Sequence, residues 1–598
     1  MKRITNISIL ASLLIALPAC NDDFLDRFPE TSIGKENFFN TEEDLNMYVN
    51  NLYNFPGHGI YIWDNVTDNQ ATTGATEMKT IMTTTPSSQT VVGGWNWGEL
   101  RTINFFLENF SKADIPQDQL DHFEGLARFF RARFYMDKVQ RYSDVPWYDE
   151  VLGTADDELL YKAQDPRQMV VEKIFEDYEF AAGHVNVDEP AGAVNRWVVK
   201  QYMARHALYE GTYRKYHDEL GLQGSANGFL ELARDLAKEI LDSGNYAIHN
   251  TGNPESDYYS LFVNPDLSNN PEVILATIYV PNLWNSGNWA YMFGNYESSP
   301  SRDLLQAYLM KDGTPYTSQA DYETNLFVEE FVDRDPRLKQ TYAYPGWELR
   351  RTETYAQGGG VYIQQLQKNF SGYHQLKGYV NDPDQDVFND QDVPVLRYAE
   401  TLLIYAEARA ELGQLTQADL DMTVNVLRDR AAMPHLTMNP PVDPVQQARY
   451  PNVTSPELLE IRRERRIELA LEGYRFDDLM RWKAGPLIEA EPQGLYFPGL
   501  GKYDLTGDGV EDILLIDVSE DIPSGPDKEV NSLGKALIYY KAGPQNSSAD
   551  VYLQNGTSGT VQTDRERGLF MEPKYYYRPI PQTHVTVNPN LKQIFGWN

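Results

Sequence analysis

Hydrophobic positions recur every three to four residues over several long stretches of the chain, which is the pattern of amphipathic α-helices. In the first stretch, Thr41–Tyr53, a capping threonine and early acidic residues accompany the apolar positions Leu45, Val49 and Leu52. The same periodicity predicts further helices over residues 100–110, 120–142, 167–182, 195–216, 228–241, 396–413, 417–431 and 456–483. The helices come in pairs with short links, which predicts tetratricopeptide-like stacking of helical pairs.

The stretches outside these blocks lack helical periodicity. Residues 54–98 are rich in Gly, Thr, Asn and Trp, and residues 244–395 and 486–598 are loop-rich with short strand-like pieces such as Val273–Val280. No clean linker divides the chain. We therefore predict a mainly α fold with minor β elements. Residues 41–598 should form one composite domain, with helical repeats at about 41–243 and 396–485 around a large loop-rich insertion.

Charge excludes one class of partner. The 87 acidic residues outnumber the 52 basic ones, and the resulting net charge of −35 repels nucleic acid. The same field disfavours polyanionic glycans, so a neutral oligosaccharide is the expected kind of sugar ligand. The 39 Tyr and 10 Trp residues are a high aromatic content that indicates a stacking surface.

The N-terminus has the features of a processing signal. Basic Met1–Arg3 precedes an apolar run over residues 7–17, which is too short to span a bilayer stably. The run ends in Leu17–Cys20, which resembles a bacterial lipobox, and Cys20 is the only cysteine of the chain. We predict a lipoprotein signal peptide at residues 1–19, lipidation of Cys20, and a membrane tether over residues 20–40. The alternative is a buried free thiol after an ordinary signal peptide.

Catalytic spacings are absent from the sequence. No two of the nine His residues lie four apart, and no nucleophile elbow or phosphate-binding loop is present. No catalytic residue is therefore predicted. A carboxylate pair of the glycosidase kind has no sequence signature, so a surface glycoside hydrolase stays open as an alternative. A tetratricopeptide-like scaffold that binds only protein is the other alternative.

Four segments carry specific motifs. Ala127–Trp147 ends in an aromatic-x-Asp-Val-Pro turn. In Val395–Gly413, small residues occupy one face of the predicted helix. Arg462–Lys483 alternates acids and bases before Gly473, and Tyr576–Asn598 contains Pro-Ile-Pro and Asn-Pro-Asn-Leu-x-Gln. In this order, behind a lipobox, they resemble the SusD/RagB family of outer-membrane nutrient-binding lipoproteins. These motifs are mainly structural, and they predict a buried Arg/Glu ion-pair network and four core tryptophans, Trp147, Trp197, Trp482 and Trp597.

The resemblance implies a function as well as a fold. It implies a non-catalytic, glycan-binding lipoprotein exposed on the surface of a Bacteroidetes-like bacterium. It also implies a partner, a SusC-like TonB-dependent transporter, over which the protein acts as a lid and to which it delivers oligosaccharide. Asn21–Asp23 resemble the acidic tract that routes such lipoproteins to the cell surface.

One loop has the spacing of a calcium site. Oxygen-bearing residues stand at positions 1, 3, 5 and 9, Gly509 stands at position 6, and a carbonyl is available at position 7, as at the start of an EF-hand-like loop. The candidate ligands are Asp504, Thr506, Asp508, Val510 and Asp512. Position 12 is Leu515 instead of Glu, so the match is incomplete. We expect a structural calcium, with an Asp/Gly-rich hairpin turn as the alternative, and no catalytic cofactor.

The tryptophans outside the structural motifs gather in loops. An indole face stacks on the C–H face of a sugar ring, and neighbouring carboxylates bind its hydroxyls. The predicted glycan-binding residues are Trp63, Asp64, Asp68, Trp95, Trp284, Trp289 and Tyr296. The alternative for Trp95 is burial with Trp97 beneath the helix that follows it.

Overall fold

The computed structural model describes residues 38–72, 74–280, 283, 298–352, 357–367, 371–383, 390–563 and 567–597. The N-terminal half is mostly helical and contains the helices α1 (Glu42–Asn50), α2 (Glu77–Thr83), α3 (Gly98–Leu107), α4 (Gln117–Tyr142), α5 (Asp157–Leu160), α6 (Arg167–His184), α7 (Arg196–Tyr216) and α8 (Ala226–Ser243). A 3-10 helix, His58–Val66, lies between α1 and α2.

The remaining helices are α9 (Asp257–Ser260), α10 (Arg302–Ala307), α11 (Pro336–Thr341), α12 (Tyr398–Glu411), α13 (Gln417–Asp421), α14 (Val424–Arg430), α15 (Pro444–Arg449), α16 (Pro456–Glu468), α17 (Arg475–Arg481) and α18 (Gln582–Val587). Long helices that are close in sequence pack on each other: α4 packs on α6, and α7 packs on α8. Helix α12 packs against both α8 and α16, and thereby joins the two helical blocks. None of the described helices is long and apolar enough to span a membrane.

In the part of the chain that the structure describes, the strands are short and form five small sheets. They are β1 (Gln70–Thr72), β2 (Val273–Thr277), β3 (Ser298–Pro300), β4 (Glu348–Leu349), β5 (Gly360–Val361), β6 (Val393–Arg397), β7 (Gln493–Phe497), β8 (Gly501–Tyr503), β9 (Ile513–Asp517), β10 (Ile538–Gly543), β11 (Val551–Tyr552) and β12 (Gly559–Gln562). Four sheets are antiparallel pairs: β1–β3, β2–β6, β4–β5 and β7–β12. The fifth has the order β11-β10-β9-β8, with antiparallel pairing only between β8 and β9.

The C-terminal segment returns to the first helical block. Arg578 donates from Nε to Glu77 at 3.0 Å, and the Ser88 hydroxyl donates to Gln582 at 2.9 Å. Trp597 is 1% exposed, and its indole N–H donates to the carbonyl of Lys574 at 3.0 Å. The final residues are therefore part of the framework that holds the first helices together.

The structure confirms the mainly α class with minor β elements, and it divides two of the predicted helices. Residues 417–431 are interrupted between α13 and α14, and residues 456–483 are interrupted between α16 and α17. In the second turn Leu471 and Gly473 adopt φ of 60° and 79°. Because left-handed φ ends a right-handed helix, this turn reverses the chain where periodicity alone predicts one helix.

Three of the four predicted core tryptophans are buried: Trp147, Trp482 and Trp597 are at most 7% exposed. Trp197 is half-buried and packs against the main core. Helix α16 buries its charged side chains as the motif predicts, through ion pairs such as Arg462–Glu411 and Arg465–Asp478. Guanidinium groups are tolerated in such an interior when carboxylates or backbone carbonyls satisfy them.

Candidate functional site

Trp63 is the predicted glycan-binding aromatic that the structure leaves open to solvent. It lies on the 3-10 helix His58–Val66, and 53% of its surface is exposed. Its indole rests against the turn between α16 and α17. A Cβ added to Gly473 would stand 3.1 Å from Cε3 of Trp63, which is a tight contact, and the φ of 79° also favours glycine at this position. The family-like motif around Gly473 thus supports one side of the indole.

The residues on either side of the predicted glycan-binding stretch 284–296 lie beside the 58–72 segment. Tyr279 packs on His58 with ring centroids 5.1 Å apart, and Ser298 in β3 pairs with Thr72 in β1. Trp284, Trp289 and Tyr296 fall between those flanks and lie outside the described residues. Their predicted contact with glycan stays a prediction.

Asp64 is not available to a glycan, which corrects the sequence-based prediction for this residue. It is fully buried, and its Oδ2 accepts hydrogen bonds from Asn69 Nδ2 at 2.8 Å and from the Leu471 backbone N–H at 3.0 Å. Its Oδ1 has no hydrogen-bond partner among the described residues. Burial raises the pKa of the Asp64 carboxyl to about 6, because desolvation penalises the charged form. Its role is to join the 58–72 segment to the α16–α17 turn.

Asp68 is likewise a framework residue, which corrects the second carboxylate prediction. It is 5% exposed, and both oxygens bind the guanidinium of Arg475 at 2.8 Å. Arg449 and Arg466 approach its Oδ2 at 3.0 and 3.1 Å. Desolvation opposes ionisation, but the three guanidinium groups together hold the pKa of Asp68 well below its usual range. We call these four residues the Asp68 cluster.

The other predicted site in this half of the molecule is Trp95, and the structure buries most of it. Trp95 is 7% exposed and packs edge-to-face on Tyr142 and Trp97, with ring centroids 4.8 and 5.3 Å apart. The three rings lie at the base of α3, as the alternative for Trp95 anticipates. Trp95 and Trp97 also line a cavity of about 390 Å³ that Arg101, Glu150 and His584 border. Trp95 therefore offers at most an edge to a ligand, and not a free stacking face.

The carboxylates of the predicted calcium loop bind backbone N–H groups. Asp504 accepts from the amides of Thr506, Gly507 and Gly509 at 2.6 to 2.9 Å, and Asp512 accepts from Leu505 and Thr506 at 2.8 and 2.9 Å. The Asp508 carboxylate accepts from the Val510 amide at 2.9 Å. In the part of the chain that the structure describes, no three His, Cys, Asp or Glu side chains are grouped so that they could hold a metal ion. Calcium binding here stays a prediction.

Sequence reasoning did not identify Gly473 as the residue that supports Trp63, or Asp68 as the partner of the buried arginines. Arg466 and Arg475 lie inside the motif segment Arg462–Lys483, but their partner Asp68 is about 400 residues away in the chain. The sequence signal was a cluster of arginines in a predicted helix that has no separate polar face to expose them to solvent. That signal indicates burial with acids but does not identify which acids.

Comparison with known proteins gives a consistent result. The SusD family profile matches residues 243–597, which is more than half of the chain. A SusD-like protein of Formosa agariphila is 25% identical over 508 residues, a match that covers 80% of this chain and 92% of that protein. A second SusD-like protein of the same organism is 23% identical over 521 residues, covering 80% and 90%.

Solved structures share the fold. A SusD-like carbohydrate-binding protein from Bacteroides fragilis superimposes with a TM-score of 0.66 at 22% identity, covering 93% of this chain and all of that one. A second SusD-like protein from the same species has a TM-score of 0.65 at 20% identity and covers 96% of this chain and all of its own. A structure solved with a xylogluco-oligosaccharide has a TM-score of 0.56 at 18% identity, with 92% and 99% covered.

Proposed function

This chain belongs to the SusD family, and on that premise we propose that it is a lipid-anchored protein of the outer-membrane surface that binds oligosaccharides and delivers them to a SusC-like TonB-dependent transporter. The observation that carries the proposal is the family match over residues 243–597. Two structural relatives support carbohydrate as the ligand class, one described as carbohydrate-binding and one solved with a xylogluco-oligosaccharide. Binding without chemistry is the role we assign to the protein.

The exposed indole of Trp63 supports glycan binding at the surface of the 58–72 segment. One side of this ring is held by the α16–α17 turn, while about half of its surface faces solvent. A ring fixed in this way loses little conformational freedom when a sugar stacks on it, which favours binding. The net charge of −35 favours neutral oligosaccharides over polyanionic ones.

Affinity electrophoresis and calorimetry on the purified protein test the ligand class. The probes are xyloglucan, starch, mannan and laminarin, with chondroitin sulfate as the polyanionic comparison. We expect retardation and measurable heat with at least one neutral glycan and none with chondroitin sulfate. The same mixtures should release no reducing ends over hours. Release of reducing ends would instead identify a glycoside hydrolase, and absence of any glycan binding would refute the proposal.

The anchor and the transporter are tested in cells. The lipobox-like Leu17–Cys20 sequence supports lipidation of Cys20, so Cys20→Ala should move the protein out of the membrane fraction. The wild-type protein should co-purify in detergent with a TonB-dependent transporter. Full membrane retention of the Cys20→Ala protein in a strain lacking that transporter would contradict lipidation.

A further inference from the structure

A second cleft on the molecule combines aromatic rings with charged side chains. It has a volume of about 420 Å³ and lies between α9, α11 and the residues around β4. Its principal lining residues are Glu255, Tyr259, Lys339, Tyr344, Trp347 and Arg350. The volume falls within the range of roughly 300–1,000 Å³ that is usual for small-ligand sites. We call it the Tyr344 cleft, and none of the residues predicted from the sequence lies in it.

The aromatic wall of the cleft is rigid. Trp347 is 9% exposed, stacks on His374 at 6.0 Å between centroids, and meets Tyr362 edge-on at 5.6 Å. The hydroxyl of Tyr259 donates to the backbone carbonyl of Tyr379. These rings therefore hold their positions without a ligand, which lowers the entropic cost of stacking on them.

Tyr344 is the half-buried ring of this wall. Its packing against the small core cluster that contains Trp347 and Tyr379 fixes the ring, while its hydroxyl makes no hydrogen bond within the described residues. Burial raises the pKa of Tyr344, and the nearby Glu255 carboxylate raises it further. The phenol is therefore neutral over the physiological range and can both donate and accept a hydrogen bond.

Three charged side chains of the cleft, those of Lys339, Arg350 and Glu255, make no ion pair within the described residues. Lys339 stands with Nζ 5.5 Å from the centroid of the Tyr344 ring, and within the described ranges it makes no ion pair. The side chains of Arg350 and Glu255 likewise make no hydrogen bond or ion pair with any described residue. Most arginines of the interior are held by carboxylates, as in the Asp68 cluster. Within the described residues, the cleft thus presents the donors of Lys339 and Arg350 and the acceptor of Glu255 beside a rigid aromatic wall.

This combination matches the chemistry of a neutral sugar. A pyranose unit has an apolar C–H face for the ring of Tyr344 and hydroxyls that need donors and acceptors together. Lys339 and Arg350 supply donors, and Glu255 supplies an acceptor. The carboxylates of Glu255 and Asp382 in the lining offset the two cations, and the negative field of the chain then disfavours an anionic sugar.

We propose that the Tyr344 cleft is a carbohydrate subsite that binds a pyranose unit of a neutral oligosaccharide, separate from the Trp63 surface. The inference rests on the proposed function, because it assigns part of the same ligand to a second place on the protein. The two surfaces are connected through neighbouring aromatic residues. Val263 lines the cleft, and the adjacent Phe262 meets Tyr61 edge-on at 6.1 Å between centroids.

Calorimetry on the full-length soluble protein tests the subsite, with xyloglucan heptasaccharide, maltohexaose, mannohexaose and laminarihexaose as probes. For each probe that binds the wild type, Tyr344→Ala should weaken affinity about fivefold, the scale of one lost aromatic contact. Tyr344→Phe should retain most of the affinity, since it keeps the ring. Lys339→Met should weaken binding about threefold through the loss of one charged donor.

Matched controls separate this inference from the proposed function. Leu533→Ala alters an exposed apolar residue in a distant hairpin and should bind as the wild type does. Tyr344→Phe, Lys339→Met and Leu533→Ala should keep the wild-type melting temperature within about 1 °C, because none of them removes packed apolar volume from the core. Tyr344→Ala removes a half-buried ring, so its fold is checked by circular dichroism before calorimetry. Unchanged affinity in Tyr344→Ala, with weakened affinity in Trp63→Ala, overturns the subsite and leaves the proposed function intact. A wild-type protein that binds none of the four probes overturns both.

Discussion

The two sides of the 58–72 segment differ in what they contact. Asp68 lies on the interior side, 5% exposed, among three arginines. Trp63, five positions earlier, lies on the exterior side with 53% of its surface open. Both residues depend on the same helical hairpin, because Arg475 of α17 binds Asp68 and Gly473 of the preceding turn supports Trp63. One structural unit therefore anchors the segment through charge and presents an aromatic ring on its other side.

In this segment the polar and the aromatic residues have the opposite of their usual locations, which are the surface for carboxylates and the core for aromatic rings. Here the carboxylates are structural and the indole is exposed. Buried ion pairs contribute little net stability when complete, but losing one partner is costly because the other charges remain desolvated. An exposed ring contributes little to stability but offers a stacking face. Substitutions on the two sides should therefore separate stability from binding.

The largest effect is expected from Asp68→Ala. Removing this carboxylate leaves Arg449, Arg466 and Arg475 close together, and among the described residues Asp303 is the anion that remains paired with the first two. The free energy of unfolding should fall by about 3–5 kcal/mol, measured by urea denaturation at pH 7. The control Asp188→Ala removes an exposed acid and should change it by less than about 0.5 kcal/mol. A loss below about 1 kcal/mol at Asp68 would show that the cluster is not structural.

The pH dependence of stability should distinguish Asp64 from Asp68. The folded-state pKa of Asp64 is raised from 3.8 to about 6, so its contribution is favourable below about pH 4 and is lost as pH rises through 6. The pKa of Asp68 is lowered, so its contribution is present above about pH 4 and is lost as pH falls below that value.

Asp64→Asn should therefore gain stability relative to the wild type as pH rises from 4 to 7. The shift from 3.8 to about 6 corresponds to a relative gain of up to about 3 kcal/mol, because each pKa unit is worth about 1.4 kcal/mol. An asparagine oxygen can still accept from Asn69 and Leu471, so the hydrogen bonds of the buried side chain are conserved. Urea denaturation at four pH values measures the difference. A pH-independent difference between the two proteins would refute the raised pKa.

A smaller effect on binding, without one on stability, is expected from Trp63→Ala. Loss of the indole should weaken binding of a cognate neutral oligosaccharide by about 1 kcal/mol. The melting temperature should stay within about 1 °C of the wild type, since the ring is half exposed. Trp63→Phe should bind with intermediate affinity in the same calorimetric experiment. Wild-type affinity in Trp63→Ala would place the glycan elsewhere on the protein.

The smallest effect is expected at the Asp504–Asp512 loop. We propose that calcium binds there weakly, with a dissociation constant on the order of 0.1–1 mM, as in extracellular modules. At 1 mM, calcium should raise the melting temperature of this large protein by about 1 °C. Asp508→Ala should abolish the rise. An unchanged transition, together with no calcium found by elemental analysis after dialysis against 1 mM calcium, would rule the proposal out.

Much of the helical framework could be predicted from local patterns, because periodicity and capping act within a few residues. Thr41 and Asp44 form the predicted start of α1 as a capping box. Local patterns could not identify the turn at Leu471–Gly473, where left-handed backbone interrupts an apparently continuous helix. They also could not assign Asp64 and Asp68 to the interior, since the partners that bury them are about 400 residues away. The closeness of Asp64 and Asp68 to Trp63 in the sequence does not indicate whether each carboxylate faces the interior or the solvent.

The return of residues 574–597 to the first helical block has a consequence for how the chain acquires its structure. Arg578 and Glu77 are separated by 501 positions, and Ser88 and Gln582 by 494. Contacts of such sequence separation require closure of very long loops, so they form late and slow the overall folding rate. A nascent chain exposes the apolar surface that this segment later covers. Its first helices gain their full protection against proteases and self-association only when the last part of the chain has joined them.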